Sequence, residues 1–159
     1  MHYSEIDSPM GTVLIVGSEQ GLHAVSFQQG SQPLAIAADW QRDDQALCAA
    51  RTQLQQYFAG QRQQFELALA PVGTEFQRQV WQALCQIPYG TTASYGQIAS
   101  AIGKPKAVRA LGAANGKNPI AVVIPCHRVI GANGSLTGYA GGLELKQQLL
   151  QLEQPDLLN

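Results

Sequence analysis

The chain has 159 residues, of which 45% are hydrophobic and 13% charged, with a formal net charge of −1. That length holds one good core or two small lobes, and the apolar content suffices for folding without a partner. No apolar run approaches a membrane span and no signal-peptide succession opens the chain, so a soluble, cytoplasmic protein with no membrane contact is expected.

In chain order, Thr12-Val13-Leu14-Ile15-Val16, the turn signal Glu19-Gln20-Gly21 and Leu22-His23-Ala24-Val25-Ser26-Phe27 predict a β-hairpin. Residues 30–39, with Gln32-Pro33, read as a loop. Residues 44–58 then place Leu47, Ala50, Leu54 and Phe58 at helical spacing, ended by Gly60. Residues 65–69 read as another strand and Ala70-Pro71-Val72-Gly73 as a linker, which divides the chain into domains 1–70 and 71–159. Nothing in the first lobe suggests chemistry: His2 and His23 fall at a strand start and in the hairpin, where structural or exposed roles are expected.

The second lobe starts with Thr74, followed three residues on by Gln77, a helix-capping pattern. Phe76, Val80 and Leu84 share one face of that helix, and Ile87-Pro88-Tyr89-Gly90 stops it. From Ser94 the spacing is helical again through Tyr95, Ile98 and Ile102, with a stop at Gly103-Lys104-Pro105 and a second helix from Lys106 to about Asn115. Two short helices joined by a glycine-containing turn form a helix-turn-helix pattern. A 100° wheel puts Val108, Leu111 and Gly112 inside and Lys106, Arg109, Ala110 and Ala113 outside. Alanines let a partner come close, while one long cation stands up from them. Such a face has little with which to read base edges and suits non-specific approach to a duplex, with Arg109 entering the groove or the stack.

Charge is unevenly distributed. Residues 1–75 hold three basic and eight acidic side chains, whereas residues 76–143 hold Arg78, Lys104, Lys106, Arg109, Lys117 and Arg128 and no acid. The tail from Glu144 holds one basic and three acidic residues. A polyanion-binding lobe beside a neutralising scaffold shows this segregation.

Three cysteines, odd in number and never in a Cys-x-x-Cys pair, argue against a disulfide framework and against zinc, and suit a reducing cytoplasm. Cys48 and Cys85 lie in helical segments and are expected in the core. Cys126 is different. The run Ile120-Ala121-Val122-Val123-Ile124 reads as a short buried strand that delivers Cys126 beside His127 and Arg128. A thiol becomes a strong nucleophile on losing its proton, and these neighbours offer a proton acceptor and a fixed positive charge. Neighbours on an extended chain point to opposite faces, so a water or a sharp turn must connect His127 to the sulfur. A buried structural cysteine is the alternative reading.

With these features in hand, the chain resembles the O6-alkylguanine-DNA alkyltransferase (methylated-DNA-protein-cysteine methyltransferase) family. The resemblance is strongest over residues 76–153. It rests on Thr74 to Trp81, Tyr95-Gly96-Gln97-Ile98-Ala99, Arg109-Ala110-Leu111-Gly112, Asn118-Pro119, Ile124-Pro125-Cys126-His127-Arg128-Val129-Ile130 and Gly138-Tyr139-Ala140-Gly141-Gly142. More weakly, the hairpin and Leu54-Gln55-Gln56-Tyr57-Phe58-Ala59-Gly60 resemble the family's ribonuclease-H-like lobe. The resemblance implies an α+β fold, a small antiparallel-sheet lobe followed by a mainly helical, winged-helix-like lobe with the helix-turn-helix.

It also implies a monomer that repairs double-stranded DNA by moving an alkyl group from O6 of guanine, with O4-alkylthymine as a second candidate substrate, irreversibly onto its own cysteine after the nucleotide flips out. By that resemblance Cys126 is the acceptor, His127 deprotonates it through a water, and Glu153 holds the histidine tautomer. Glu153 shares a helix face with Leu145, Leu149 and Leu152, where a carboxylate needs a partner. Asn118 supports the cysteine turn, Tyr95 donates to the departing guanine, and Arg109 fills the gap left in the duplex. Lys104, Lys106, Ala110, Ala113, Lys117 and Arg128 complete the expected DNA-binding set, and Tyr139, Ala140 and Gly141 line the base pocket. Ala140 stands where some family members carry serine, which removes a side-chain donor. No cofactor and no metal is expected, since Cys48, His2 and His23 do not reproduce a tetrahedral ligand spacing.

Three rivals are weaker. A cysteine hydrolase needs a histidine from elsewhere in the chain, and His2 and His23 have no motif around them. A non-enzymatic lesion binder on this scaffold carries tryptophan in place of the cysteine. A two-function regulator needs a further cysteine cluster before this module, for which the chain has no room.

Overall fold

The computed structural model describes residues 1–136, 139 and 141–155; of the positions singled out above, Gly138 and Ala140 lie outside them. The chain forms two compact units, one of residues 1–72 with 119–121, the other of residues 73–118 with 122–159. No helix among the described residues is long and apolar enough to cross a membrane.

In the first unit β1 (His2–Ser8), β2 (Gly11–Ser18) and β3 (Gly21–Phe27) pair antiparallel, and the two-residue β4 (Gln41–Arg42) adds a parallel edge, in the order β3-β2-β1-β4. The predicted hairpin is β2–β3, closed by Glu19-Gln20 with Gly21 at φ 136°. A side chain there would be strained, which is why the turn ends on glycine. Val13 to Val16 are all buried, as befits a central strand. Helix α1 (Cys48–Phe58) buries Ala50, Leu54, Tyr57 and Phe58. Arg51 ties it to β1 by donating to the buried Ser4 hydroxyl and to the Glu5 carbonyl at 2.7 Å.

Two predicted strands are absent. Residues 65–69 make one isolated bridge, Leu69 to Leu22. Residues 120–124 make one, Ile120 to Val25, and then turn, with Val122 at φ 72°. A buried β-branched residue in the left-handed region is strained and persists only when its surroundings fix it. The run 120–124 is apolar because it is largely buried, whereas Phe65-Glu66-Leu67-Ala68-Leu69 is half-buried or exposed at every position, and neither sits in a ladder. Cys48 and Cys85 are also corrected: both are exposed, on the outward sides of their helical segments.

The second unit opens with α2 (Glu75–Leu84), whose capping box pairs the Thr74 and Gln77 side chains and backbones as predicted. It buries Val80, Trp81 and Leu84, and Trp81 Nε1 donates to the Ala114 carbonyl at 2.9 Å. A two-residue strand β5 (Ala93–Ser94) leads into α3 (Tyr95–Ala101), capped in the same way by Ser94 and Gln97. After Gly103 comes α4 (Val108–Gly116), two residues later than predicted. Cys126–Arg128 form one 3-10 turn, β6 (Val129–Ile130) pairs parallel with β5, and α5 (Leu143–Glu153) ends the described fold. The α+β expectation holds.

Candidate functional site

Cys126, His127 and Arg128 are all buried on the 3-10 turn, and what reaches them comes from the segment after α2, from α4, from the turn before them and from α5. On α5, Lys146, Leu149, Leu150 and Glu153 recur at three- and four-residue spacing and form its buried stripe. That stripe delivers a cation and a carboxylate inward. The last turn does not fray: the Tyr89 hydroxyl donates to the Leu152 carbonyl at 3.5 Å, and Gln154 donates to the Gly90 carbonyl.

Glu153 organises the site. His127 Nε2 lies 2.7 Å from one carboxylate oxygen, and Arg128 donates to both, from Nε at 2.7 Å and from Nη2 at 3.0 Å. Burial alone would raise the Glu153 carboxyl, but the hydrogen bonds and charges of His127 and Arg128 outweigh it and hold the group at about 2. A carboxylate can only accept, so Nε2 carries the histidine proton and Nδ1 the lone pair. Burial also lowers the basicity of His127, against the pull of Glu153, so the ring is neutral near pH 7. Its Nδ1 is buried with no partner among the described residues.

Arg128 requires a correction. Expected on the DNA, it is 6% exposed, chelates Glu153, donates from Nη1 to the Ile87 carbonyl at 2.8 Å and stacks over Tyr89. A guanidinium buried and paired in this way is kept from a phosphate at the surface. Nor is it the cation that acts on the thiol.

That cation is Lys146, which sequence reasoning missed although its place on the Leu149–Glu153 face was a visible signal. Lys146 is fully buried, with Nζ donating to the Val129 carbonyl at 2.6 Å. Burial pushes the Cys126 thiol up to about 11, opposed by a hydrogen bond from the Asn118 side chain and by the Lys146 charge. Asn118 Nδ2 also donates to the Ile124 carbonyl at 2.8 Å, so one amide spans the turn before the cysteine. Burial in turn lowers Lys146 to about 8, against the attraction of Cys126. Lys146→Met should therefore make Cys126 titrate higher still, and each unit of rise removes about tenfold of the thiolate near neutrality. Alkylation of Cys126 by iodoacetamide, followed against pH, measures this; an unchanged profile would contradict the assignment.

Tyr139 and Gly141 stand close together. A side chain at Gly141 would begin 2.9 Å from the Leu145 side chain and 3.0 Å from the Tyr139 ring, so both would have to shift to admit one. Burial, then the charges of Cys126 and Glu153, raise the Tyr139 phenol well above its usual value. Tyr95 starts α3, half-buried, with its ring 4.0 Å from where a Gly112 side chain would begin. Sequence reasoning also missed Asn115, 2% exposed, whose Nδ2 donates to the Cys126 carbonyl at 3.4 Å.

On α4, Leu111, Ala114 and Asn115 face inward, while Arg109, Ala110 and Ala113 are exposed as expected. Val108 does not face inward: it is 41% exposed and joins that outer face. Lys106 and Lys117 flank the helix, both exposed, and Lys104 lies over the Phe76 ring at 5.1 Å with Nζ 3.3 Å from Gln79 Oε1. The result is a flat, basic strip of small side chains.

Two family models match. That of the 6-O-methylguanine DNA methyltransferase DNA binding domain covers residues 75–155, and that of the ribonuclease-like domain covers residues 1–71. The methylated-DNA–protein-cysteine methyltransferase of Methanosarcina barkeri is 52% identical over 157 residues, 99% of each chain. That of Mycobacterium tuberculosis strain H37Rv is 48% identical over 155 residues, 97% of this chain and 93% of its own. Among solved structures, Mycobacterium tuberculosis OGT in complex with DNA superposes with a TM-score of 0.90 at 47% identity, over 98% of this chain and 94% of that one.

Proposed function

The chain belongs to the 6-O-methylguanine DNA methyltransferase family, and from that premise we propose that it repairs double-stranded DNA by moving an alkyl group from O6 of guanine onto Cys126, once and irreversibly. The observation that carries this reading is the buried Glu153–His127 pair, whose histidine stands on the same 3-10 turn as Cys126.

A thiol held near 11 is almost wholly protonated at pH 7, so its proton must leave as the sulfur attacks. His127 Nδ1 takes that proton through one water, and Glu153 stabilises the imidazolium that forms. The sulfur attacks the alkyl carbon in line, the C–O bond breaks, and its electron pair stays on the guanine, where the Tyr95 hydroxyl donates to the developing charge. Asn118 and Lys146 stabilise the sulfur while it is negative.

The lesion reaches the thiol by rotating out of the duplex, because the alkyl carbon is inaccessible inside the stack. The small outer face of α4 approaches the groove, Arg109 fills the gap, and Lys104, Lys106 and Lys117 hold phosphates. Tyr139 and Gly141 line the pocket for the base, and O4-alkylthymine is the second substrate. Residues 1–70 serve as scaffold and residues 71–159 as the DNA-binding and transfer domain. The protein works as a monomer, since one copy holds every group the transfer uses, and three free cysteines suit the cytoplasm.

The thioether has no good leaving group, so each protein molecule acts once. With limiting protein and excess O6-methylguanine duplex, repair should stop in a single burst equal to the protein present. Continued turnover would refute the proposal.

A further inference from the structure

Arg128 has no assigned part in the transfer, yet its bonds run through the centre of the site. It grips the Glu153 carboxylate with two bonds, Nε to Oε1 at 2.7 Å and Nη2 to Oε2 at 3.0 Å, and His127 Nε2 lies 2.7 Å from that same Oε2. One carboxylate oxygen therefore serves two donors, a permanent cation and a ring that titrates. All three side chains are buried, so their charges act on one another with little screening.

A carboxylate alone beside an imidazole draws a proton onto the ring. A ring that already holds that proton cannot accept one from a thiol. His127 nevertheless lies below its ordinary 6.5, through burial first, with the charges of Arg128 and Lys146 opposing the pull of Glu153. The surroundings account for the sign. The charged groups acting on the ring are Glu153 and Lys146 from α5 and Arg128 from its own turn, and Lys146, at about 8, is still mostly charged at pH 7. Cys126 is held at about 11, and Tyr139, Tyr89 and Cys85 are each raised, so none of the four adds a charge near neutrality. A proton on His127 would be a third positive charge around one carboxylate.

We propose that Arg128 is a positioning residue for the base: by gripping both oxygens of the carboxylate that His127 contacts, it balances that charge and keeps the imidazole unprotonated, ready for the thiol proton. This rests on the alkyl-transfer reading and deepens it, since it makes Arg128 the group that sets the pH above which transfer runs.

The test compares Arg128→Gln, which keeps an amide donor and loses the charge, with Arg128→Lys, which keeps the charge and loses the fork. His127 is followed by ring-nitrogen NMR from about pH 5 to about pH 9 without DNA, across the range in which imidazoles titrate. Single-turnover methylation of Cys126 from an O6-methylguanine duplex is followed over the same range. In the wild type the ring should titrate below 6.5, and the acid limb of the transfer rate should coincide with it. Arg128→Gln should raise both midpoints together by about one unit or more, the effect of removing one nearby charge from a buried site. Arg128→Lys should leave both close to the wild type whatever its absolute rate. A wild-type ring that titrates at or above 6.5 overturns the proposal, even where neither variant folds. So does an Arg128→Gln variant that is slower by the same factor at every pH with the ring midpoint unmoved, the result of a role confined to holding the fold. A shift in Arg128→Lys as large as that in Arg128→Gln overturns it as well. A wild type that shows the low ring midpoint but never methylates Cys126 refutes the transfer reading itself.

Discussion

Cys126→Ala should abolish methyl transfer and leave a folded protein that still binds the methylated duplex. The substitution removes one buried sulfur, a loss of about 1 kcal/mol of stability by comparison with other small truncations. It leaves Asn118 bonded to the Ile124 carbonyl and Lys146 to the Val129 carbonyl, so the walls of the site stay in place. Cys48 and Cys85 cannot take over, because both are exposed on helical segments without the His127–Glu153 pair beside them. Binding should persist because the exposed strip on α4 is untouched. Gel-shift titration alongside a methyl-transfer assay separates the two properties. Residual transfer by the variant would remove Cys126 from its assigned role.

Glu153→Gln should be the most damaging change away from the sulfur, through both chemistry and stability. An amide at this position no longer fixes Nε2–H on His127, and loss of an orienting group of this kind lowers general-base catalysis by about 10² to 10⁴. It also leaves the Arg128 guanidinium buried beside a neutral partner, and breaking a buried pair in this way costs about 3–5 kcal/mol. The pH dependence has a definite sign. The Glu153 carboxyl is held at about 2 against an ordinary 4.5, so its contribution, roughly 3 kcal/mol, is fully present above pH 4.5 and is lost as pH falls towards 2. Urea midpoints measured between pH 7 and pH 3 should fall more steeply for the wild type than for Glu153→Gln, which lacks the titrating group. Parallel curves would mean that the carboxylate is not coupled to folding.

Where local rules dominate, the sequence was enough. The β2–β3 hairpin, the Thr74–Gln77 capping box and the glycine stop after α3 depend on residues a few positions apart, and all appear as read. Of the two misread strands, 120–124 is apolar and β-branched, a composition that reports burial without reporting a hydrogen-bonded neighbour, while 65–69 alternates half-buried and exposed positions as a strand does yet makes one isolated bridge. At the site, Cys126 and His127 were legible because they adjoin one another, and their partners were less so. Arg128 looked like a phosphate ligand until Glu153, 25 residues away, claimed it. Lys146 and Asn115 gave no motif of their own. Their roles come from contacts with the carbonyls of Val129 and Cys126, which exist only once α4 and α5 have packed.

The most direct measurement is the mass of the peptide that carries Cys126 after the protein has met a duplex containing O6-methylguanine. The mechanism predicts a gain of one methylene on that peptide, at one per protein molecule, with the peptides of Cys48 and Cys85 unchanged and the guanine restored in the DNA. Loss of the methyl group from the DNA with the Cys126 peptide unmodified would contradict it.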